Sequence, residues 1–424
     1  MKRSILILFA ILLHLGGLCQ QSEPLKIGDC FRIASKASPL QRQKTISGEA
    51  LSYKLMNLNT NWFPMVGLNA QASYNSETVD FSDITKNTPV TIPSLPLDQY
   101  KIWADINQQL YDGGTVKAQK AIEKASYEAG IQQVETDLLN LKQQVNQAYF
   151  SLMVAKKSYA ILQVTLDELK ERKIVVQAGV DNGVVLPENL LALEAEELRL
   201  LQNLTELKLL QGQLFMTLSI LMDTALIENT VIAEPVEPGG FNDPVIRPEY
   251  LLFEKQKEVY QANQKLVSAA DLPKLFAFSQ AAYGRPGYNI MSSNFHTFYS
   301  VGLGMKWNFL NYGDSRRQIK IFDIQKDMVD IKRETFDDQL NVQLETENTN
   351  IEKYTELLQQ DEQILNLRKA ITAASLSKLT NGVITSTDYL RDLNAELLAR
   401  LQYENHKILK LQAAYNYLLL QGKL

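Results

Sequence analysis

From Gly313 to Gly382 the chain contains no proline and no interior glycine, and from Gly113 to Gly183 it again contains no proline. Each stretch is about 70 residues long and rich in Gln, Glu, Lys, Leu and Ala, all good helix formers. At 1.5 Å rise per residue, each specifies roughly 100 Å of helix, far beyond the three or four turns usual in globular proteins. A helix that long needs a partner along its length. The return stretches, about Pro187 to Met222 and Ser386 to Gln421, supply part of one as an antiparallel hairpin. In the second, Leu390, Leu393, Leu397, Leu401, Ile408 and Leu411 recur at the steps of a coiled-coil seam.

The two stretches belong to an internal duplication, which the prolines expose. Ser38-Pro39 and Pro64 are answered by Arg247-Pro248 and Pro273, both at an offset of 209. Leu110-Tyr111-Asp112-Gly113-Gly114 is answered by Leu310-Asn311-Tyr312-Gly313-Asp314 at 200, and Asn182-Gly183-Val184 by Asn381-Gly382-Val383 at 199. The second copy is therefore shorter between Pro273 and Gly313. Each copy reads as a lead helix, two strands and a long helical hairpin. The expected order is a lead helix over 20–63, a β-hairpin over 64–112 and a helical hairpin over 113–233. A linker over 234–247 holds Pro235, Pro238, Gly239, Gly240 and Pro244. A second lead helix over 248–272, β-hairpin over 273–312 and helical hairpin over 313–424 follow.

Lys2 and Arg3 precede an apolar run from Ile5 to Leu13, too short to span a bilayer, and Gly17-Leu18-Cys19 offers a cleavage site before Gln20. Residues 1–19 read as a secretory signal peptide. Two competing readings are a retained anchor and lipidation at Cys19, where Leu18 is bulkier than a lipidation site prefers. After cleavage only Cys30 remains, expected as a small buried hydrophobe. Two Cys and three His (His14, His296, His406) argue against zinc clusters, thiol nucleophiles and a disulfide framework. The net charge of −5 lacks the basic footprint of a nucleic-acid binder. Carboxylates are plentiful, but no pair stands out from solvated helix faces, so no enzyme, metal or cofactor is expected.

After Pro64, Val66, Leu68, Ala70, Ala72 and Tyr74 alternate with Gly67, Asn69, Gln71 and Ser73. In the second copy Tyr299, Val301, Leu303, Met305, Trp307 and Phe309 alternate with small or polar residues. This is the pattern of a transmembrane β-barrel strand. Ile102 to Leu110 fits less well, because Gln108 falls on its apolar face. Leu275 to Tyr283 also fits poorly, because Phe276 and Phe278 fall on the inner one. One chain offers about four strands, and an open sheet in lipid leaves edge N–H and C=O groups unsatisfied at several kcal/mol each. Closure therefore requires copies. Two would give eight strands and almost no lumen, and three give twelve around one axis.

Taken in order and spacing, these features resemble the TolC family of outer-membrane efflux channels over essentially the whole mature chain. The residues that carry the resemblance are Pro64 and Pro273, the two strand-to-helix turns with Gly113, Gly114 and Gly313, and Ala148-Tyr149-Phe150. Arg247-Pro248-Glu249 and the tip glycines Gly183 and Gly382 complete them. The fold class implied is mainly α with a membrane β-barrel. It is a homotrimer with a twelve-stranded barrel in the outer membrane of a Gram-negative bacterium and an α-helical tunnel in the periplasm. The partners implied are a periplasmic adaptor (membrane fusion protein), an inner-membrane pump of RND, ABC or MFS type, and outer-membrane lipid. The function implied is the exit duct of tripartite efflux or type I secretion, for small molecules or proteins. A periplasmic coiled-coil scaffold without channel activity is the alternative reading.

The resemblance places adaptor docking at the helical tips, Asn182, Gly183, Asn381 and Gly382. It places a periplasmic entrance gate at Asp388, six residues after Gly382. Three copies of Asp388 around an axis would select for cations and raise one another's pKa. A second family acid falls where this chain has Arg391, with Asp392 beside it, so Arg391 is a candidate for an intersubunit salt bridge. The bland reading of Asp388 is a capping box, Thr385-x-x-Asp388. Glu188 and Asn189, after Pro187, hold the matching place in the first copy.

Overall fold

The computed structural model describes residues 24–80, 89, 94–226, 230–239, 243–290 and 292–424. The expected signal peptide over 1–19, with Cys19, lies outside the described residues. Helices α1 (Ile27–Ala37) and α2 (Pro39–Asn59) lead into strands β1 (Met65–Tyr74) and β2 (Asp98–Tyr111). Helices α3 (Thr115–Asp181) and α4 (Pro187–Met222) follow. The second copy is α5 (Pro248–Ala270), β3 (Lys274–Arg285), β4 (His296–Lys306), α6 (Asp314–Thr380) and α7 (Ser386–Leu420). Helices α3 and α6 are each 67 residues long, and α4 and α7 are 36 and 35.

Two local details differ from the sequence reading. Instead of one lead helix over 20–63 there are two, because Ser38 is extended at ψ 136°. The ring of Pro39 disfavours helical backbone in the residue before it. The Ser38 hydroxyl then accepts the Leu40 N–H at 3.2 Å and starts α2. The two strand-to-helix turns also align one residue differently. Asp112 Oδ1 accepts the Gly114 N–H at 2.8 Å, and Asn311 Oδ1 accepts the Gly313 N–H at 3.2 Å. Asp112 therefore answers Asn311, at 199, and Tyr312 (φ 47°) stands where the first copy has Gly113 (φ 69°).

The chain forms two units, residues 24–43, 134–248 and 335–424 in one and 44–133 and 249–334 in the other. In the first, Ile27, Cys30 and Phe31 of α1 pack with Tyr149, Phe150 and Leu152 of α3. Phe215, Leu218 and Met222 of α4 and Ile408, Leu411 and Leu419 of α7 close the cluster. Tyr149 is fully buried and donates its hydroxyl to the carbonyls of Leu25 at 2.9 Å and Ala233 at 2.6 Å. It thereby ties the chain before α1 to the linker, where Leu25 and Ile232 form a parallel bridge. A second cluster joins Leu162, Leu166 and Leu169 of α3 and Leu193 and Leu200 of α4 to Leu390, Leu393 and Leu397 of α7. The leucine seam read from the sequence is thus divided between two cores.

The second unit holds an antiparallel meander, β1-β2-β3-β4. Leu68 lies opposite Ala104, Ala104 opposite Ala281, and Ala281 opposite Tyr299, so one face of the sheet is apolar across all four strands. Both weak segments are strands, for reasons supplied by their neighbours. Phe276 and Phe278 lie opposite Gly304 and Gly302, and a Cβ on Gly302 would come within 2.5 Å of the Phe278 ring. Each ring fills the space that the cross-strand glycine leaves. Gln108 sits next to a register shift at Gln109/Tyr111, where its amide donates to the Trp62 carbonyl at 3.0 Å. Strand β4 ends at Lys306, short of Phe309, as the Trp307 indole turns to donate to the Asp271 carbonyl at 3.0 Å.

Candidate functional site

The apolar face of the sheet is uncovered. On β4, Tyr299, Val301, Leu303 and Met305 are 77, 73, 79 and 64% exposed, and on β1 Val66, Leu68 and Tyr74 are equally bare. Each such side chain left in water forgoes about 1.5–3 kcal/mol of burial. Aromatic residues mark both ends of the band. Phe295 stacks with Tyr100 and Tyr283 at 6.1 and 5.8 Å at the loop end, and Trp307 meets Phe309 at 5.7 Å at the helix end. The eight steps from Tyr299 to Trp307 rise about 20 Å at a barrel strand's tilt, close to the height of an outer-membrane apolar band. Among the described residues, β1 and β4 pair on one side only.

The helical tips share one construction. At the first, Gly183 N–H donates to the Val180 carbonyl and Val184 N–H to the Gly179 carbonyl, both at 2.9 Å. At the second, Gly382 N–H donates to Leu379 at 3.0 Å and Val383 N–H to Lys378 at 2.8 Å. These paired bonds are Schellman caps, with Gly183 and Gly382 left-handed at φ 70° and 72°. Asn182 and Asn381 donate their side-chain amides to the carbonyls of Ala178 and Ser377. A Cβ on either tip glycine would meet nothing within 4 Å, so only the backbone angle requires glycine within the chain. Val184, Leu186 and Val383 are exposed beside them.

At the start of α7, Thr385 and Asp388 form a reciprocal capping box. The Thr385 hydroxyl and backbone N–H hold the Asp388 carboxyl below its ordinary range, and Arg391 adds to this from 3.6 Å. Within the chain this shift runs opposite to the mutual repulsion expected around an axis. Arg391 also approaches Asp392 at 3.6 Å. Asp392 accepts from the Ser375 hydroxyl of α6, and its backbone carbonyl accepts from Thr372 at 3.2 Å. Asp388, Arg391 and Asp392 therefore form one cluster, in which Asp392 ties α7 to α6.

Residues 40–219 match the family described as Outer membrane efflux protein. The chain's fold is shared with the Campylobacter jejuni CmeC outer membrane channel, at 14% identity and TM-score 0.68, over 96% of this chain and 91% of that one. It is shared also with the Vibrio cholerae outer membrane protein VceC, at 11% identity and TM-score 0.68, over 93% and 96%. The Neisseria gonorrhoeae MtrE outer membrane channel matches at 13% identity and TM-score 0.66, over 93% and 88%. No match was found among curated proteins.

Some contacts of this chain were not legible as site features in its sequence. Asn189, read only as a neighbour of the tip, accepts the Ser386 N–H at 2.8 Å and so joins the start of α4 to the start of α7. Asp271 accepts from Asn311 and Ser315 at 3.0 and 2.7 Å and holds the second strand-to-helix turn. Neither residue sits in a motif, and only the cross-element pairing singles them out.

Proposed function

We propose that the chain is one of three subunits of an outer-membrane channel that serves as the exit duct of a tripartite efflux or type I secretion system. The observation that carries this reading is the four-stranded sheet, with two edges unpaired among the described residues and one bare apolar face. In lipid that face is satisfied, and the edges are satisfied by further strands. In a four-strand meander β1 and β4 run in opposite directions. Joining β4 of one copy to β1 of the next therefore continues the antiparallel alternation around a ring. Three copies make twelve strands, enough for a lumen.

In this reading the tips at Gly183 and Gly382 receive a periplasmic adaptor, and an inner-membrane pump supplies the cargo. The Asp388 cluster lies at the periplasmic entrance. The bare Gly183 and Gly382 surfaces, with Val184 and Val383 exposed beside them, suit close approach by another helix. Arg391, bonded within its own subunit, is also available to a neighbour's carboxylate at a closed entrance.

Fractionation and cross-linking test the reading. The protein is expected to resist carbonate extraction from outer membranes. Cysteines placed at Leu68 and Leu303 of adjacent copies are expected to yield a cross-linked trimer. Extraction into the soluble fraction as a monomer would refute the channel and favour the periplasmic coiled-coil scaffold.

A further inference from the structure

The face of the sheet opposite the apolar band carries an aromatic cage with a cation in it. Across one register row Trp103 lies opposite Ala282, and Ala282 opposite Phe298. Lys101, two residues from Trp103 on the same face, places its ammonium 4.8 Å from the Trp103 ring centre and 5.4 Å from that of Phe298. Gln280 accepts from that ammonium at 3.1 Å. Asp105, two residues from Trp103 on the other side and about 7 Å along the strand, presents a carboxylate on the same face. Asn69 donates to it.

Two aromatic faces around an ammonium, with a carboxylate one row away, form a recognition site for an organic cation. We infer that the cage formed by Trp103 and Phe298 binds organic ammonium cargo in transit and that Lys101 is its resident competitor. The inference rests on the channel reading, in which this face lines the lumen. A duct needs sites that attract cargo yet release it. A tethered lysine meets that need, because an incoming ammonium must displace Lys101 and so binds weakly. The cargo class is amphipathic amines and quaternary ammonium ions, as distinct from inorganic cations, which gain less from ring faces than from water.

Full-length protein reconstituted in planar bilayers, with benzyltrimethylammonium as the probe, tests this. Wild type is expected to show weak, brief block. Lys101→Met empties the cage and is expected to tighten block by about threefold to tenfold, the span of one partly solvated cation–π contact. Lys101→Arg keeps a cation in the cage and is expected to behave as wild type. Adding Trp103→Leu to Lys101→Met is expected to reverse the gain. Lys306→Met removes a positive charge elsewhere on the same face and separates cage from charge. It is expected to change potassium selectivity without tightening block. Equal tightening by Lys306→Met, or unchanged block in Lys101→Met, overturns the cage. Absence of any conductance refutes the channel reading itself.

Discussion

Replacing Gly382 with Ala, Asn or Asp sets backbone strain against surface shape. Gly382 is left-handed at φ 72°, and an added Cβ meets nothing within 4 Å. The intrachain cost is therefore the left-handed backbone alone, about 1 kcal/mol for Ala and several tenths less for Asn or Asp, whose short polar side chains tolerate that region. In a protein of 424 residues 1 kcal/mol moves the melting temperature by only about 1 °C. Alanine is thus the least stable replacement and the smallest, while Asn and Asp are more stable and larger. If Gly382 serves only as a cap, export follows stability, with Asn and Asp ahead of Ala. If the tip receives a partner helix, the order inverts, and Gly382→Asp abolishes export with normal amounts of trimer in the membrane. Dye efflux from intact cells, outer-membrane abundance and the melting temperature of purified protein give the three orders. Export by Gly382→Asp at the wild-type rate, or export that tracks melting temperature across the series, would refute the docking argument.

Three further outcomes follow from the geometry. Gly113→Ala combines a left-handed backbone with a Cβ 2.8 Å from the Ala269 carbonyl and 2.9 Å from Leu272 Cβ, and is expected to cost about 2–4 kcal/mol. Gly114→Ala has no such contact and is expected to cost about 1 kcal/mol, so equal melting shifts for the pair would contradict the packing account. The Asp388 carboxyl is held low by Thr385 and Arg391, so its contribution to the α7 cap is present above the ordinary carboxylate pKa of about 3.9 and is lost only as pH falls through the depressed value. Amide exchange at residues 385–390 should then stay protected from pH 7 to 5, and loss of protection in that interval would mean that repulsion between neighbouring copies outweighs the intrachain bonds. Cys30 is fully buried and its thiol is pushed up to about 12, first by burial and then by Asp29. Maleimide should leave it unmodified in the native protein and label it after denaturation, whereas rapid native labelling would contradict the packing of α1.

Legibility followed the range of the interactions. The helices were readable because helix formation is decided within a few residues: proline and glycine spacing alone separates α3 from α4 and α6 from α7. The capping box at Thr385 and Asp388 and the caps at Gly183 and Gly382 are equally local. The strands of β1 and β4 were readable because each alternates by itself. Strand β3 was readable only as a poor fit, since the glycines that accommodate Phe276 and Phe278 lie on β4, more than twenty residues away in the chain. The one-residue error in aligning the two turns has a similar cause. Glycine identity suggested an offset of 200, but the bonds of Asp112 and Asn311 set it at 199.

By itself the sequence determined that the chain is duplicated, that its helices exceed any ordinary domain, and that its strands suit lipid on one face. Periodicity and backbone preference report those properties residue by residue. Only the tertiary structure decided which side chains meet across elements. Tyr149 reaching Leu25 and Ala233, Asn189 reaching Ser386, and Lys101 lying between Trp103 and Phe298 are pairings of distant segments. They depend on strand register and helix packing, which no local pattern encodes.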